Sequence, residues 1–573
     1  MDITGKKLFV KALRAEGVDT VFAYPGGVIT DLLDELAKAD DIRLILPRHE
    51  QALIHEAEGY ARATGRPAVC LVTSGPGATN TITGLADAFY DSIPLVVFTG
   101  QVARGLVGND AFQEVDIMGI TRNITKFGTM VTDRAALGRI IKEAFYVAAT
   151  GKPGPVVIDF PKDVQNELGD PEYPEQVSMR GYKPIEGVHI GQLKKAWKIL
   201  KNAKKPIILA GGGVNIAKAN AELIEFAEMT NVPVMTTIMG KGDMPSDHPL
   251  YLGNAGMHGK YACNKAIGEC DVLFSIGTRF NDRITGDLNE FAPNAQIVHI
   301  DVDTASISRN VVVNVPIVAD AKVALSKINE WAAEIDTADW LEQIKAWDDE
   351  YPMSMPNDVG LTPQVIMETI NEVFDGETIF TTDVGQNQMW ATQFIDLRKG
   401  KMMFTSGGLG TMGFGFPAAV GAKIGMPHKD VVCVTGDGGF QMNMQEMATS
   451  VVEGAPVTVI LLNNTYLGMV RQMQQMFYGK RYVHTSLKKK DENIEPLKKL
   501  DPEAHEYVPD FIKWAESYGV KAIRVTERED VRAALEAAKA NKETTTVIEF
   551  IIEPEEIVLP MVKGGNAIDQ MIL

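Results

Sequence analysis

Two apolar runs of this chain end in polar residues that together could hold a cation. Val431-Val432-Cys433-Val434-Thr435 stops at Gly436-Asp437-Gly438, and Val457-Thr458-Val459-Ile460-Leu461-Leu462 stops at Asn463-Asn464. Short runs rich in β-branched residues, bounded by glycine or proline, read as buried parallel strands. Side by side, they would bring Asp437 and Asn464 together at strand carboxyl ends, where open α/β sheets bind ligands. One carboxylate and one amide oxygen suit zinc poorly but make half of a magnesium–diphosphate site. Magnesium favours octahedral oxygen coordination and takes few protein ligands, leaving the remaining positions to phosphate and water. Gly438 and Gly439 would let a diphosphate approach the backbone, and the pattern predicts a helix from near Met442 that offers its amino end to the anion.

The elements needed to position such a site recur along the chain. At 573 residues the chain is too long for one core, so several domains are expected. Strand–helix alternation predicts an α/β fold of three doubly wound parallel-sheet domains: 1–168, 189–333 and 361–553, with a tail at 554–573. The expected strands are Val21–Ala23, Leu44–Leu46, Ala68–Thr73, Leu95–Thr99 and Val156–Phe160 in the first block. In the second they are Pro206–Ala210, Val234–Thr236, Val272–Ile276 and Ile297–Ile300, and in the third Ile379–Thr382, Val431–Thr435, Val457–Leu462 and Val547–Ile552. Asp170-Pro-Glu-Tyr-Pro-Glu with Tyr182-Lys-Pro reads as one linker, and Tyr351 to Leu361, with Pro352, Pro356 and Gly360, as another. A charged insertion at 487–508 lacks apolar periodicity and reads as a solvated surface loop, with a partner surface or a flap near the site as the alternative.

Composition narrows the partners. A net charge of -19 argues against nucleic acid and against an anionic membrane surface. Cys70, Cys263, Cys270 and Cys433 show no CxxC spacing and read as small buried hydrophobes of a reducing compartment. The amino-terminal residues read as an amphipathic helix rather than a signal or a membrane span, so a cytoplasmic location is expected.

Glu50, in Arg48-His49-Glu50-Gln51, follows an apolar strand-like run and falls in a first helical turn, where the helix dipole favours a carboxylate. Glu56 and Glu58 of the same helix read as exposed faces. Gly-Asp-Gly followed 27 residues after Asp437 by Asn464 resembles the signature of thiamine-diphosphate enzymes. The whole chain resembles the acetohydroxyacid synthase (acetolactate synthase) catalytic subunits of the biosynthetic, flavin-containing kind. The matching segments are Ala23-Tyr-Pro-Gly-Gly27, Arg48-His-Glu-Gln51, Thr73-Ser-Gly-Pro-Gly-Ala-Thr-Asn80, Gly100-Gln101, Ala111-Phe-Gln-Glu-Val-Asp116 and Gly154-Pro-Val-Val-Ile-Asp-Phe-Pro-Lys-Asp163. Gly277-Thr-Arg-Phe-Asn-Asp-Arg283 and Gly407-Gly-Leu-Gly-Thr-Met-Gly413 extend the match.

The resemblance implies roles. Glu50 would hydrogen-bond the aminopyrimidine ring and promote removal of the thiazolium C2 proton. It would serve a cofactor anchored by another subunit, so a homodimer or dimer of dimers is expected. Gly27, Phe112, Gln113 and Lys162 would line the pocket where pyruvate and a second 2-keto acid react, Gln113 donating to a developing alkoxide and Lys162 facing a carboxylate. Met412 would hold the cofactor bent. Asp437, the Asn464 side-chain oxygen and the Tyr466 backbone carbonyl would hold magnesium. Gly385, Gln386, Asn387, Gly436, Gly438, Gly439, Leu467, Gly468 and Met469 would complete the cradle. Gly211-Gly212-Gly213 is a weak dinucleotide-type turn by itself; the resemblance adds Thr236, His258, Arg279, Asp282, Arg283 and Asp301 as contacts to FAD. A small regulatory subunit is a further expectation of the resemblance.

Met473 stands where the family commonly has tryptophan, which puts the preference for the second substrate in question. The expected reaction is decarboxylation of pyruvate and transfer of the two-carbon unit to pyruvate or 2-ketobutyrate, giving 2-acetolactate or 2-aceto-2-hydroxybutyrate in branched-chain amino-acid biosynthesis. The alternative is another thiamine-diphosphate 2-keto-acid enzyme, such as a pyruvate oxidase or decarboxylase. A formal GxGxxG at Gly408–Gly413 does not support a nicotinamide dehydrogenase: Asp430, about 20 residues on, precedes its strand instead of ending one.

Overall fold

The computed structural model describes residues 1–355, 360–398 and 400–573, so Pro356 of the second expected linker lies outside the described residues. Three six-stranded sheets succeed one another along the chain, and every pairing within them is parallel. The α/β class with three doubly wound sheets is therefore the fold the chain adopts.

The first sheet runs, edge to edge, Arg43–Ile45, Thr20–Tyr24, Ala68–Val72, Leu95–Gln101, Pro155–Pro161, Phe127–Met130. The third runs Met402–Phe404, Thr378–Thr382, Asp430–Gly436, Thr458–Asn463, Thr546–Ile551, Lys521–Val525. Counted along the chain, both orders read 2-1-3-4-6-5. The middle sheet runs Tyr251–Asn254, Val234–Thr236, Pro206–Ala210, Val272–Ile276, Gln296–Asp301, Val315–Val318, which reads 3-2-1-4-5-6, the dinucleotide-binding order.

Five strands have no counterpart among the sequence expectations: Phe127–Met130, Tyr251–Asn254, Val315–Val318, Met402–Phe404 and Lys521–Val525. All five lie at sheet edges. An edge strand has one neighbour and a partly wetted flank, so it need not be a continuous apolar run. Two short antiparallel pairs, Ile3–Thr4 with Leu168–Gly169 and Met561–Val562 with Met571–Ile572, were likewise not expected. All four cysteines are buried and unpaired, as expected. Among the described residues no helix is long and apolar enough to cross a membrane.

Alternate residues of the first sheet feed two cores. Val21, Val69, Val96 and Val156 face one, while Phe22, Cys70, Val97 and Val157 face the other. The second of these cores continues into the third sheet through Ile379, Val431, Cys433 and Val459. The helices Glu50–Thr64 and Gly415–Gly425 cross in the middle of it. They cross on glycine: a Cβ at Gly421 would stand 1.8 Å from the Glu56 carbonyl oxygen, and one at Gly59 2.0 Å from that of Ala418.

This crossing corrects the reading of Glu56 and Glu58 as exposed. Both are fully buried, because the helix has core on every side instead of a solvent face. Glu58 Oε2 lies 3.2 Å from His55 Nδ1, and the buried Asp87 beside them accepts from Ser406 and Thr411 of the third block. Asp91 ties the same loop, accepting from Arg62 at 2.9 Å and from the amides of Gly407 and Gly408 at 3.0 and 2.7 Å.

Burial pushes the Glu58 carboxyl from an ordinary 4.5 up to about 8. The folded chain therefore keeps a proton that the unfolded chain gives up near 4.5, so this group's contribution to stability falls as pH rises from there towards about 8. Glu58→Gln removes the titration while keeping the shape. Its thermal midpoint is expected to decline less than that of the unmodified chain between about pH 6 and pH 8; parallel declines would show that Glu58 is ionised in the fold.

Candidate active site

The cleft of the third block opens where its strand order reverses, between Thr378–Thr382 and Asp430–Gly436. Open α/β sheets bind ligands at such switch points. Three helices begin there: Gln386–Phe394, Asp437–Asn443 and Gly468–Phe477. None of the three has a side-chain cap hydrogen bond. Their first amides are thus left for an anion, and the three positive dipole ends converge on one place. The second of these helices corrects the expected start near Met442: it begins at Asp437 itself, with Gly436 in the cap position, so the carboxylate belongs to the first turn.

Gly385, Gln386, Asn387, Met412, Gly436, Asp437, Gly438, Gly439, Leu467, Gly468 and Met469 all line this cleft, and so do Asn464 and Tyr466. Asp437 is buried, with 1% of its surface exposed. Burial pushes its carboxyl up to about 7, against the Tyr507 hydrogen bond, which pulls it down. Asn464 is oriented at both ends. Its Oδ1 accepts from the Tyr466 amide at 3.0 Å, and its Nδ2 donates to Gln386 Oε1 at 3.1 Å. The turn between them holds Thr465, a β-branched residue, at φ 61, a conformation such residues rarely adopt without a local constraint. Here the Thr465 amide donates to Asn463 Oδ1 at 3.0 Å, and its carbonyl accepts from Leu487 at 2.8 Å.

Close approach explains two of the glycines. A Cβ at Gly468 would stand 2.1 Å from Gln386 Oε1, and one at Gly439 2.2 Å from Asp383 Oδ1. Asn387 Oδ1 is buried in the cleft wall without a hydrogen-bond partner. The Asp437 and Asn464 oxygens with the uncapped helix amides fit a cation-bound diphosphate, and the orphaned Asn387 oxygen is left for a hydrogen-bond donor. Met473 lies half-buried on the helix Gly468–Phe477, one turn beyond Met469.

The first sheet gathers the other candidates at its strand carboxyl ends. Gly27 follows Thr20–Tyr24, Glu50 follows Arg43–Ile45, Phe112 and Gln113 lie on the segment after Leu95–Gln101, and Lys162 follows Pro155–Pro161. Glu50 opens its helix, and the His49 ring accepts from the Gln51 amide as the cap. Its Oε2 accepts from Asn80 Nδ2 at 2.9 Å. The backbone just before it is held from the third block, with Arg48 N donating to both oxygens of Glu446 at 3.1 and 3.0 Å. Lys162 Nζ donates to the Gly27 carbonyl at 2.8 Å. Gln113 sits at φ 60, packed on Gly75, where a Cβ would meet it at 2.9 Å. Phe112 is 87% exposed, so it is not a core residue of this chain. None of these five residues lines the cleft that holds Asp437, among the described residues.

In the middle sheet the switch point lies between Pro206–Ala210 and Val272–Ile276. Gly211 and Gly277 end these strands and pack backbone to backbone, since a Cβ at Gly211 would stand 2.5 Å from the Gly277 oxygen. Thr236 is buried, its hydroxyl 3.0 Å from that of Tyr251. Asp301 accepts from the Asp303 amide at 2.8 Å. Gly212 opens the helix Gly212–Ile216, and Arg279 reaches the loop at Gly408. Asp282 and Arg283 pair with each other in solvent at 2.7 Å. His258 faces the tail instead, its Nδ1 3.2 Å from the Pro560 carbonyl, and burial lowers its pKa to about 4.

Comparison with known proteins agrees with this layout. The family described as thiamine pyrophosphate enzyme, N-terminal TPP binding domain, matches residues 3–120. The corresponding central domain matches 193–328, and the C-terminal TPP binding domain matches 383–550. The chain is 44% identical over 99% of its length to the acetolactate synthase large subunit of Corynebacterium glutamicum, spanning 89% of that protein. It is 42% identical over its full length to that of Haemophilus influenzae, spanning 98% of it. To the chloroplastic acetolactate synthase 2 of Nicotiana tabacum it is 42% identical over 99% of its length, spanning 85% of that protein. The chain belongs to the acetolactate synthase large subunits. As a member of that family it is a thiamine-diphosphate-dependent carboligase.

Sequence reasoning overlooked several groups that this acetolactate synthase fold brings to the site. Asn80 lies in one of the family-matching segments, but nothing local links its amide to Glu50, 30 residues away. The tail crosses the helix Gly468–Phe477. The Glu556 carbonyl accepts from Gln386 at 2.8 Å and from Arg471, while Val558 exchanges both backbone hydrogen bonds with the Gln472 side chain at 2.8 and 3.0 Å.

The charged insertion is solvated at its tip, as its composition predicts, but not at its neck, which meets the site as the flap alternative would have it. Its neck is buried: Lys488 Nζ donates to Glu506 at 2.9 Å, and Tyr507 donates to Asp437 Oδ2, also at 2.9 Å. Alternation of charge hides one buried aromatic among many solvated residues, so only the fold reveals it.

Proposed function

We propose that this chain makes 2-acetolactate from two molecules of pyruvate, and 2-aceto-2-hydroxybutyrate from pyruvate and 2-ketobutyrate, with thiamine diphosphate held through magnesium by Asp437, Asn464 and the Tyr466 carbonyl. The observation that carries the reading is the convergence of three uncapped helix amino ends on the cleft that also holds the Asp437 carboxylate and the Asn464 amide. When bound, thiamine diphosphate supplies the nucleophilic carbon and the electron sink that decarboxylation needs. The chain's own groups do the rest. The amides of the Gly436–Gly439 and Gly468–Met469 turns orient the diphosphate, and the apolar Met412 and Leu467 shape the space above it. Glu50, steadied through one oxygen by Asn80, holds and moves the proton of the cofactor's aminopyrimidine. Gln113 donates to the oxygen that gains charge as the new carbon–carbon bond forms.

Glu50 and its neighbours lie outside the Asp437 cleft of their own chain, which favours an assembly in which one copy supplies Glu50, Gly27, Phe112, Gln113 and Lys162 to the cleft of another. The exposure of Phe112 fits that arrangement. Homologues named as large subunits favour a small regulatory partner as well. FAD fits the middle sheet, whose strand order and crossed glycine turns at Gly211 and Gly277 suit a dinucleotide. Carboligation has no net redox change, so a flavin there would be structural.

Purified protein given pyruvate, thiamine diphosphate and magnesium, with and without FAD, is expected to form acetolactate. Acetate, acetyl phosphate or acetaldehyde in its place would select the oxidase or decarboxylase alternative. No product with every cofactor present, alone or with a candidate small subunit, rejects the proposal.

A further inference from the structure

The charged insertion reaches the Asp437 carboxylate through Tyr507. Its neck is a three-layered backbone seam: Leu467 N donates to Thr485 O at 2.9 Å, Leu487 N to Thr465 O at 2.8 Å, and Lys489 N to Glu506 O at 2.8 Å. Lys488 closes the neck from within, donating to Glu506 at 2.9 Å and to the carbonyls of Glu495 and Lys498 at 3.1 and 2.9 Å. The seam therefore runs from the turn after Asn464 to Tyr507, so the loop is part of the wall that carries the candidate cation ligands.

Tyr507 is 7% exposed and packs on Phe511, ring centroids 5.8 Å apart and planes tilted by 40°. Its hydroxyl has two neighbours. Gln441, one turn beyond Asp437 on the same helix, donates its amide to the hydroxyl oxygen at 2.7 Å. An amide N–H can only donate, so the hydroxyl proton must go to the other neighbour, Asp437 Oδ2, at 2.9 Å. One carboxylate oxygen is thereby engaged from behind.

We propose that Tyr507 is a positioning residue that restricts Asp437 to single-oxygen coordination, and so makes the cation site selective for magnesium over calcium. The inference rests on the reading of Asp437 and Asn464 as cation ligands and goes beyond it by naming what sets the choice of ion. The two oxygens of one carboxylate sit too close together to fill two corners of an octahedron without strain. Calcium accepts carboxylates with one oxygen or two in a larger, looser shell. Holding Oδ2 in a hydrogen bond therefore costs magnesium nothing and denies calcium one of its modes. Partners of this kind behind a metal ligand typically govern affinity by about ten- to a hundredfold.

The test is calorimetric titration of the full-length apo protein with Mg2+ and, separately, Ca2+, at saturating thiamine diphosphate. Tyr507→Phe is expected to weaken Mg2+ binding by about tenfold or more and Ca2+ binding less, so that the preference for Mg2+ falls. Gln441→Leu leaves the ring in place but frees the hydroxyl to turn. It is expected to move the preference the same way by a smaller factor, and it carries the test should Tyr507→Phe fail to fold. A merely structural role for Tyr507 would weaken both ions alike, so an unchanged preference in the folded variants overturns the inference. Failure of the unmodified protein to bind either ion would overturn the cation-site reading itself, and the inference with it.

Discussion

Glu50→Gln is expected to cut turnover by about a hundred- to ten-thousandfold, the range a single proton-transferring group contributes. Binding of magnesium and thiamine diphosphate should be nearly unchanged. The substitution keeps volume and leaves an oxygen for the Asn80 amide, which donates at 2.9 Å in the unmodified chain. What it removes is the ability to share a proton with the cofactor's pyrimidine ring. Isothermal calorimetry would report the preserved affinity, and exchange of the cofactor's C2 proton for deuterium, followed by NMR, would report the lost step. Turnover at the original rate would take Glu50 out of the proposed role. A collapse of cofactor binding would place Glu50 in the anchor instead. If the site is completed by a second copy, mixing Glu50→Gln with a cleft-defective variant should restore part of the activity, because one site in the mixed dimer carries neither change.

Asp437→Asn is the second large effect. The asparagine oxygen can still accept from Tyr507, so folding is preserved, but the negative charge facing the dication is gone. Breaking a buried charge pair from one side costs about 3–5 kcal/mol, or about two to three and a half orders of magnitude in apparent affinity for the magnesium–cofactor complex. Raising magnesium should recover part of the activity in this variant and none in Glu50→Gln, which separates the anchor from the proton-handling group. Cofactor affinity equal to that of the unmodified protein would show that the diphosphate is held without Asp437.

How far these residues were legible in the sequence depends on the range of the physics that places them. The strands interior to each sheet were legible because both faces are buried, which demands unbroken apolar runs such as Val431–Thr435. The edge strand Lys521–Val525 was not, because only one flank is paired and its residues stay partly wet. The cleft candidates were legible because polar and glycine residues at strand ends are a local signal, and family resemblance extended that signal to Gly385 and Gly468. The helix start after Asp430–Gly436 was misplaced by several residues: Gly438 and Gly439 look like turn residues, yet they sit inside the first helical turn.

By itself, then, the sequence determined the fold class, the placement of Asp437 and Asn464 at the carboxyl ends of two strands, and the chemistry those residue types allow. Each follows from periodicity and spacing over a few tens of residues. Tertiary structure alone decided that Glu56 and Glu58 lie in a core, since their helix is amphipathic in sequence but covered on its polar side by Gly415–Gly425. It alone placed Tyr507 behind a carboxylate 70 residues earlier in the chain. Burial and long-range hydrogen bonds depend on which surfaces meet, and no local pattern encodes which surface a polar residue will face.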